Sequence, residues 1–130
     1  MDSSKKIIIH AILSQLHNAI VQLQDWNKDV EDMHKLELSA EGMQRIAGNC
    51  MLIQAIGEGI KKIDKLGGNE LFNLRPEIPW KRVMSMRDRI SHGYFDIDVD
   101  YITDIINNDL TPLLNAIDYF TAVTEPNENN

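Results

Sequence analysis

The side chains equipped for acid–base and phosphate chemistry gather in one stretch, Trp80-Lys-Arg-Val-Met-Ser-Met-Arg-Asp-Arg-Ile-Ser-His-Gly-Tyr94. Within it, His92 carries an imidazole, the side chain most often used to take or give a proton in catalysis. Arg87 carries a guanidinium whose fork of donors suits a phosphate or a carboxylate. Pro79 spares a donor at a helix start, so a helix should open at Pro79 or Trp80 and end near Gly93. At helical spacing Trp80, Val83, Met84 and Ile90 form one stripe, and Arg87 falls inside it. A buried, unpaired guanidinium is costly, so Arg87 should either meet a carboxylate or line a cleft that receives an anion such as a phosphate. Glu58, among apolar neighbours upstream, is the candidate ion-pair partner for this Arg87 or for that of a second copy, with a solvated flank as the plainer alternative. Arg82 and Arg89 project to the other side, where solvation explains them. On a continuous helix His92 is turned about 140° from Arg87. The two converge if the helix loosens before Gly93, or if a second copy of the segment supplies the facing residue.

The order Arg87, four residues, His92, one residue, Tyr94 resembles the Arg-x4-His-x-Tyr signature of the HEPN superfamily, and more closely its HepT-like branch of bacterial and archaeal toxins. The flanks Ile78-Pro79-Trp80 and Tyr94-Phe95-Asp96-Ile97-Asp98 are similar to that branch, as is Gln54-Ala55-Ile56-Gly57-Glu58. The resemblance implies an all-α, HEPN-like antiparallel bundle of about four to five helices. It also implies a homodimer in which two copies of the motif face one another across a cleft. The implied activity is that of a metal-independent endoribonuclease toxin without cofactor, neutralised by a nucleotidyltransferase antitoxin. Arg87 and His92 would be catalytic, Asp88 and Arg89 would support substrate binding, and Tyr94 would be the site of adenylylation. Asp88 stands where such proteins often have asparagine, which sets an anion beside the phosphate site. That anion, with the acidic surroundings, keeps a second class open: a non-catalytic module that binds a nucleotide or pairs with the nucleotidyltransferase. A half-buried aromatic closing the helix end is the plainer role for Tyr94.

Positioning these residues falls to a chain of 130 residues, enough for one domain with a real core. We expect that domain over 1–124, with a disordered tail at 125–130. The net charge of −7 argues against a general nucleic-acid binder. Charge is unevenly placed, however. Arg75, Lys81, Arg82, Arg87 and Arg89 face only Glu77 and Asp88 between 75 and 92, while the chain beyond Gly93 carries eight acids and no Lys or Arg. The motif is therefore a local positive island, suited to a focused phosphate site; charge balance between neighbouring helices would look the same. The lone Cys50 reads as a buried thiol and fits a reducing cytoplasm. Neither a signal peptide nor a membrane span is expected.

The helices follow from apolar periodicity. A first one, capped by Ser3 or Ser4, carries Ile9, Ile12, Leu13, Leu16, Ala19, Ile20, Leu23 and Trp26. The pattern then degrades between Asn27 and Leu38, where His34 has no evident partner. Ser39 should cap a second helix to about Leu66, stopped by Gly67-Gly68, with a core stripe through Ile46, Cys50, Ile53, Gly57 and Ile60. Gly42, Gly48, Gly57 and Gly59 weaken that helix and suggest close approach of another. Asn69 to Ile78 reads as a loop plugged by Leu71, Phe72 and Leu74. Asp96 or Asp98 should cap a last helix that Pro112 kinks or divides. His10 and His17 lack neighbouring ligands, so metal binding there is not expected.

Overall fold

A computed structural model describes residues 1–93 and 95–126. The architecture is all-α, and among the described residues there is no strand, only an isolated antiparallel bridge between Ser91 and Ile97. Helix α1 spans Ser3–Trp26 and α2 spans Ala40–Lys65. A 3-10 helix, Met33–Leu38, joins them. A short α3, Asn69–Phe72, leads into the motif segment, which is split into α4, Trp80–Met84, and α5, Met86–Ile90. The last rod comprises α6, Val99–Asp104, a π-helical turn, Ile105–Asp109, and α7, Leu110–Val123. Counted as rods, these are four, within the expected bundle.

Helix α1 packs between α2 and α7, and α2 in turn carries the 3-10 helix, α4 and α5. Both α2 and α7 run antiparallel to α1. Leu16 meets Gly59 while Asn27 bonds Asn49 further along, so residue numbers rise on α1 as they fall on α2. Likewise His10 meets Thr124, which caps α7, and His17 and Gln24 meet Asp118 and Thr111 of α7. The core is one cluster in which Ile9, Leu13, Ile20, Ile46, Ile53, Ile60, Ile102 and Phe120 are buried. Removal of such side chains from water is the main favourable contribution to folding. Asn27, Asn49 and Thr124 are its buried polar exceptions among the described residues. The Thr124 hydroxyl donates to the Phe120 carbonyl, and the asparagines satisfy one another: each amide donates to the other's oxygen, at 2.9 and 3.0 Å.

Several expectations needed correction. The cap of α1 is Asp2, whose carboxylate accepts from the Lys5 amide at 3.0 Å, one residue ahead of the serines. A carboxylate caps as well as a hydroxyl and adds a charge favourable to the helix dipole, and that amide is the first cause of Asp2's lowered pKa. Trp26 is half-exposed, its ring lying over Gly48, where an added Cβ would be 3.1 Å away. Leu71 and Phe72 are buried as expected, but Leu74 is exposed. The burial it was expected to supply comes from Trp80, which stacks on Phe72 at 4.6 Å and anchors the preceding loop by donating to the Phe72 and Arg75 carbonyls. Of the two outcomes expected at Pro112, division of the last rod does not occur. The proline has no N–H for the Asn108 carbonyl, and the π turn ending at Asp109 takes up the mismatch so that the rod continues.

Candidate functional site

The motif segment rests on α2, and Gly57 sets how closely. A Cβ at this buried position would lie 3.1 Å from the Val83 carbonyl oxygen, 3.7 Å from that of Met84 and 3.9 Å from the Arg87 nitrogen. Glycine admits the backbone of α4 and α5 at this distance without displacement, whereas a Cβ would push it back by a few tenths of an ångström. The accumulation of glycines on α2 thus has a physical use here and at Gly59, which faces Leu16 of α1.

The motif is not one helix. At Ser85 the backbone turns to φ −99° and ψ 5°, and the Asp88 amide donates to the Ser85 carbonyl at 3.1 Å, a tighter turn than the α-helical one. The break hands burial in α5 to Met86 and Ile90. Arg87, expected on the buried stripe, is instead 61% exposed, and its Nη1 donates to Glu58 Oε1 at 2.9 Å. Its guanidinium, helped by Lys61 and Lys65, holds the Glu58 carboxyl below the usual range. An ion pair this exposed is screened by water and salt, so a competing anion can open it.

The helix stops at Ile90, short of the expected Gly93, and this stop brings the histidine round. Ser91 is fully extended, with φ −163° and ψ 150°. A tight return loop follows. The His92 amide donates to the Asp96 carbonyl at 3.1 Å, the Asp98 amide donates to the Ile90 carbonyl at 2.9 Å, and Gly93 adopts a φ of +139° that a side chain would resist. Asp98 rather than Asp96 caps the next helix, accepting from the Tyr101 amide at 2.9 Å. His92 is therefore off the helix and free of the angular penalty that a continuous helix would impose.

The outcome is an open pocket of about 460 Å³ lined by Gln54, Arg87, Asp88, Ser91, His92 and Gly93. A cation, a carboxylate and an imidazole line one depression, with the amide of Gln54 on the α2 side. Arg89 is not among these residues. Two positions beyond Arg87 it points away, and its guanidinium lies 4.5 Å over the Tyr101 ring. Arg82 is also turned elsewhere, towards Asp104 at 3.4 Å. Tyr94, the expected modification site, lies outside the described residues. Among the described residues no group of three or more His, Cys, Asp or Glu side chains is arranged to hold a metal ion.

A family model described as ribonuclease HepT-like matches residues 12–120, which include both the pocket and the bundle that carries it. The chain belongs to this HepT-like family. It is 36% identical over 61 residues to a Thermococcus cleftensis protein named as a probable ribonuclease HepT, covering 47% of this chain and 52% of that protein. Two Methanocaldococcus jannaschii proteins named as candidate RNases are also similar. One is 34% identical over 56 residues, 43% of each chain, and the other 30% over 98 residues, 75% of this chain and 72% of that protein. The chain thus spans about half the length of the first two of these relatives. No solved structure matches it significantly.

Two residues of this HepT-like pocket carried no assigned role in the sequence, Gln54 and Ser91. The Ser91 hydroxyl accepts from the Gly93 amide at 3.2 Å, which helps close the return loop. Gln54 lies 33 positions ahead of Arg87, and its place four residues before Glu58 on α2 was the available signal, since positions i and i+4 share a face. His34 also acquires partners the sequence did not show. Its Nδ1 lies 2.7 Å from Glu37 and its Nε2 2.7 Å from Asp100, tying the 3-10 helix to the start of α6. Asp100 first, then Glu37, raise its pKa. Cys50 is a buried thiol, its pKa pushed up to about 11 by desolvation. No helix among the described residues is long and apolar enough to cross a membrane.

Proposed function

We propose that this chain is a metal-independent endoribonuclease in which Arg87 and His92 act on one phosphodiester of an RNA strand. The observation that carries this is their common pocket, reached because the helix ends before His92. Metal-free RNA cleavage needs a base for the 2′-hydroxyl proton, an acid for the leaving oxygen and a cation for the charge gathering on phosphorus. His92 takes the 2′ proton as the 2′ oxygen attacks phosphorus. Arg87 leaves Glu58 to bind the non-bridging oxygens. The bond from phosphorus to the 5′ oxygen breaks, and that oxygen receives a proton from a second imidazolium. A homodimer with facing pockets supplies the second His92. The products are a 2′,3′-cyclic phosphate and a 5′-hydroxyl end.

The wider role follows from the same reading. The enzyme acts as a toxin in the cytoplasm, and a nucleotidyltransferase antitoxin neutralises it by adenylylating Tyr94, whose added phosphate repels RNA from the cleft. One observation favours a second role: Arg87 already has a carboxylate, and Asp88 lines the pocket. On that alternative the surface binds a nucleotide or the nucleotidyltransferase without turnover. The deciding experiment is induction of the wild-type chain beside His92→Ala, with growth and RNA ends followed, and cleavage by the purified protein repeated in EDTA. Growth arrest with new 2′,3′-cyclic-phosphate ends, lost in the variant and insensitive to EDTA, supports the nuclease. A soluble dimer with neither effect supports the binding module. Mass spectrometry after coexpression with the nucleotidyltransferase tests adenylate on Tyr94.

A further inference from the structure

The pocket is one end of a longer feature on α2. Gln54, Glu58, Lys61 and Lys65 follow one another at spacings of four, three and four, so their side chains leave the helix within an arc of about 60°. Gln54 lines the pocket and Glu58 bonds Arg87, which fixes the near end of this row at the site. Both lysines are exposed, and both act electrostatically on Glu58, which places them on the same edge. Neither makes an ion pair among the described residues. From Glu58 the row advances roughly 4.5 Å to Lys61 and roughly 10.5 Å to Lys65 along the helix axis.

A cation in the last turn of a helix needs no ligand to explain it, because the dipole favours it. That accounts for Lys62 and Lys65, the basic residues of the last turn of α2. It does not account for Lys61, nor for the alignment of Lys61 and Lys65 with Glu58 and Gln54. In a chain of net charge −7, Arg87, Lys61 and Lys65 set three cations against Glu58 and, at the pocket end, Asp88, on a line one side chain wide. A line of that width suits one polyanionic strand.

We propose that Lys61 and Lys65 bind the phosphates next to the scissile one, so that single-stranded RNA runs from the Arg87–His92 pocket along the exposed edge of α2 towards its C-terminus. This rests on the ribonuclease reading and adds to it the path of the substrate. When a phosphate displaces Glu58 from Arg87, the freed carboxylate stays beside Lys61 and Lys65. The lysines therefore also offset the repulsion it would exert on the strand.

The test is equilibrium binding of a single-stranded RNA made uncleavable by 2′-deoxy substitution, measured over a salt series with the full-length wild-type chain. Lys61→Gln/Lys65→Gln is compared with Lys28→Gln, which removes a charge paired with Asp25 at the other end of the α1–α2 pair. Glutamine and lysine have similar helix propensity, so folding is not at issue. Two lost phosphate contacts lower the slope of log K against log salt by about 1.4, at about 0.7 per contact on a single strand, and raise the Kd several-fold at low salt. Lys28→Gln should leave the slope in place. Equal slopes for wild type and the double variant, or no RNA binding by wild type, overturn the path. A wild type that binds RNA with the lysine-dependent slope but yields no cyclic-phosphate ends from cleavable RNA overturns the nuclease and leaves the path standing.

Discussion

Gly57→Ala adds one methyl group between α2 and the motif, and the atoms it meets decide the consequence. All three are backbone atoms, the Val83 and Met84 carbonyl oxygens and the Arg87 nitrogen at 3.1, 3.7 and 3.9 Å, so no side chain can rotate away. Relief comes from moving α4 and α5 by a few tenths of an ångström. Alanine is favoured over glycine in a helix by about 1 kcal/mol. Crowding a packed contact costs about 1–3 kcal/mol. The balance is a net loss of about 0–2 kcal/mol, or up to about 8 °C in Tm at about 4 °C per kcal/mol. The protein stays folded at 25 °C. Catalysis is more sensitive, because a misplacement of about 1 Å costs on the order of 100-fold and a few tenths should cost about 3- to 10-fold in kcat/KM. Gly59→Ala is the control. Its Cβ would meet the flexible end of Leu16 at 2.6 Å on the α1 side, away from the motif. It should lower Tm while leaving the kcat/KM of the folded protein near wild type. Thermal unfolding by circular dichroism and cleavage of a fluorogenic RNA measure both. A Gly57→Ala protein with higher Tm and undiminished cleavage would refute the claim that this glycine sets the position of Arg87.

Other consequences are read by similar means. Glu58→Gln removes the carboxylate that competes for Arg87, so KM for RNA should fall, most visibly at low salt, while Tm changes little because the pair is exposed; an unchanged KM across the salt range would count against competition. His34→Gln should destabilise most at low pH. The folded pKa of His34 is raised above its ordinary 6.5, so the stabilisation is complete below about 6.5 and lost as pH rises through the folded value. A Tm difference from wild type that grows with rising pH would contradict that sign. Asn49→Ala leaves the Asn27 amide oxygen buried without its donor and should cost about 1–3 kcal/mol in denaturant unfolding. Cys50, with its pKa pushed up to about 11, should resist alkylation at pH 7 until the protein is unfolded.

Local patterns carried the scaffold, and long-range pairings did not. The apolar spacing of α1 and α2 announces both helices because burial repeats every three or four residues, and Ser39 announces a cap because its hydroxyl takes the Gly42 amide. The stop at Ile90 and the break at Ser85 have no such signature. Serine neither forbids nor requires a helix, and the break is held by contacts of α4 and α5 with α2 that begin more than twenty residues upstream. That is why Arg87 was expected in the core and is found at the surface. His34 meets Asp100 across 66 positions, a separation over which spacing says nothing. Glu58 was legible as a partner for Arg87 because a lone carboxylate beside an apolar stripe and a lone cation on another have few ways to be satisfied. The direction of the Arg89 side chain onto Tyr101 was not, since it depends on where α6 turns back.

The count of protonic groups sets what the pocket needs from a second chain. On the proposed ribonuclease mechanism, one turnover removes a proton from the 2′ oxygen and delivers one to the 5′ oxygen on the opposite side of phosphorus, so a single imidazole would have to act on both sides in one event. This chain contributes one histidine to the pocket, and the other three, His10, His17 and His34, are engaged by Thr124, Asp118 and the Glu37–Asp100 pair. Asp88 lines the pocket but, as a carboxylate beside the arginine, opposes the phosphate it would serve. An acid of the right kind is therefore obtained most directly by duplicating the pocket. The return loop that turns His92 off the helix, fixed by the His92–Asp96 and Asp98–Ile90 backbone bonds, also turns it outward, where a second copy can meet it.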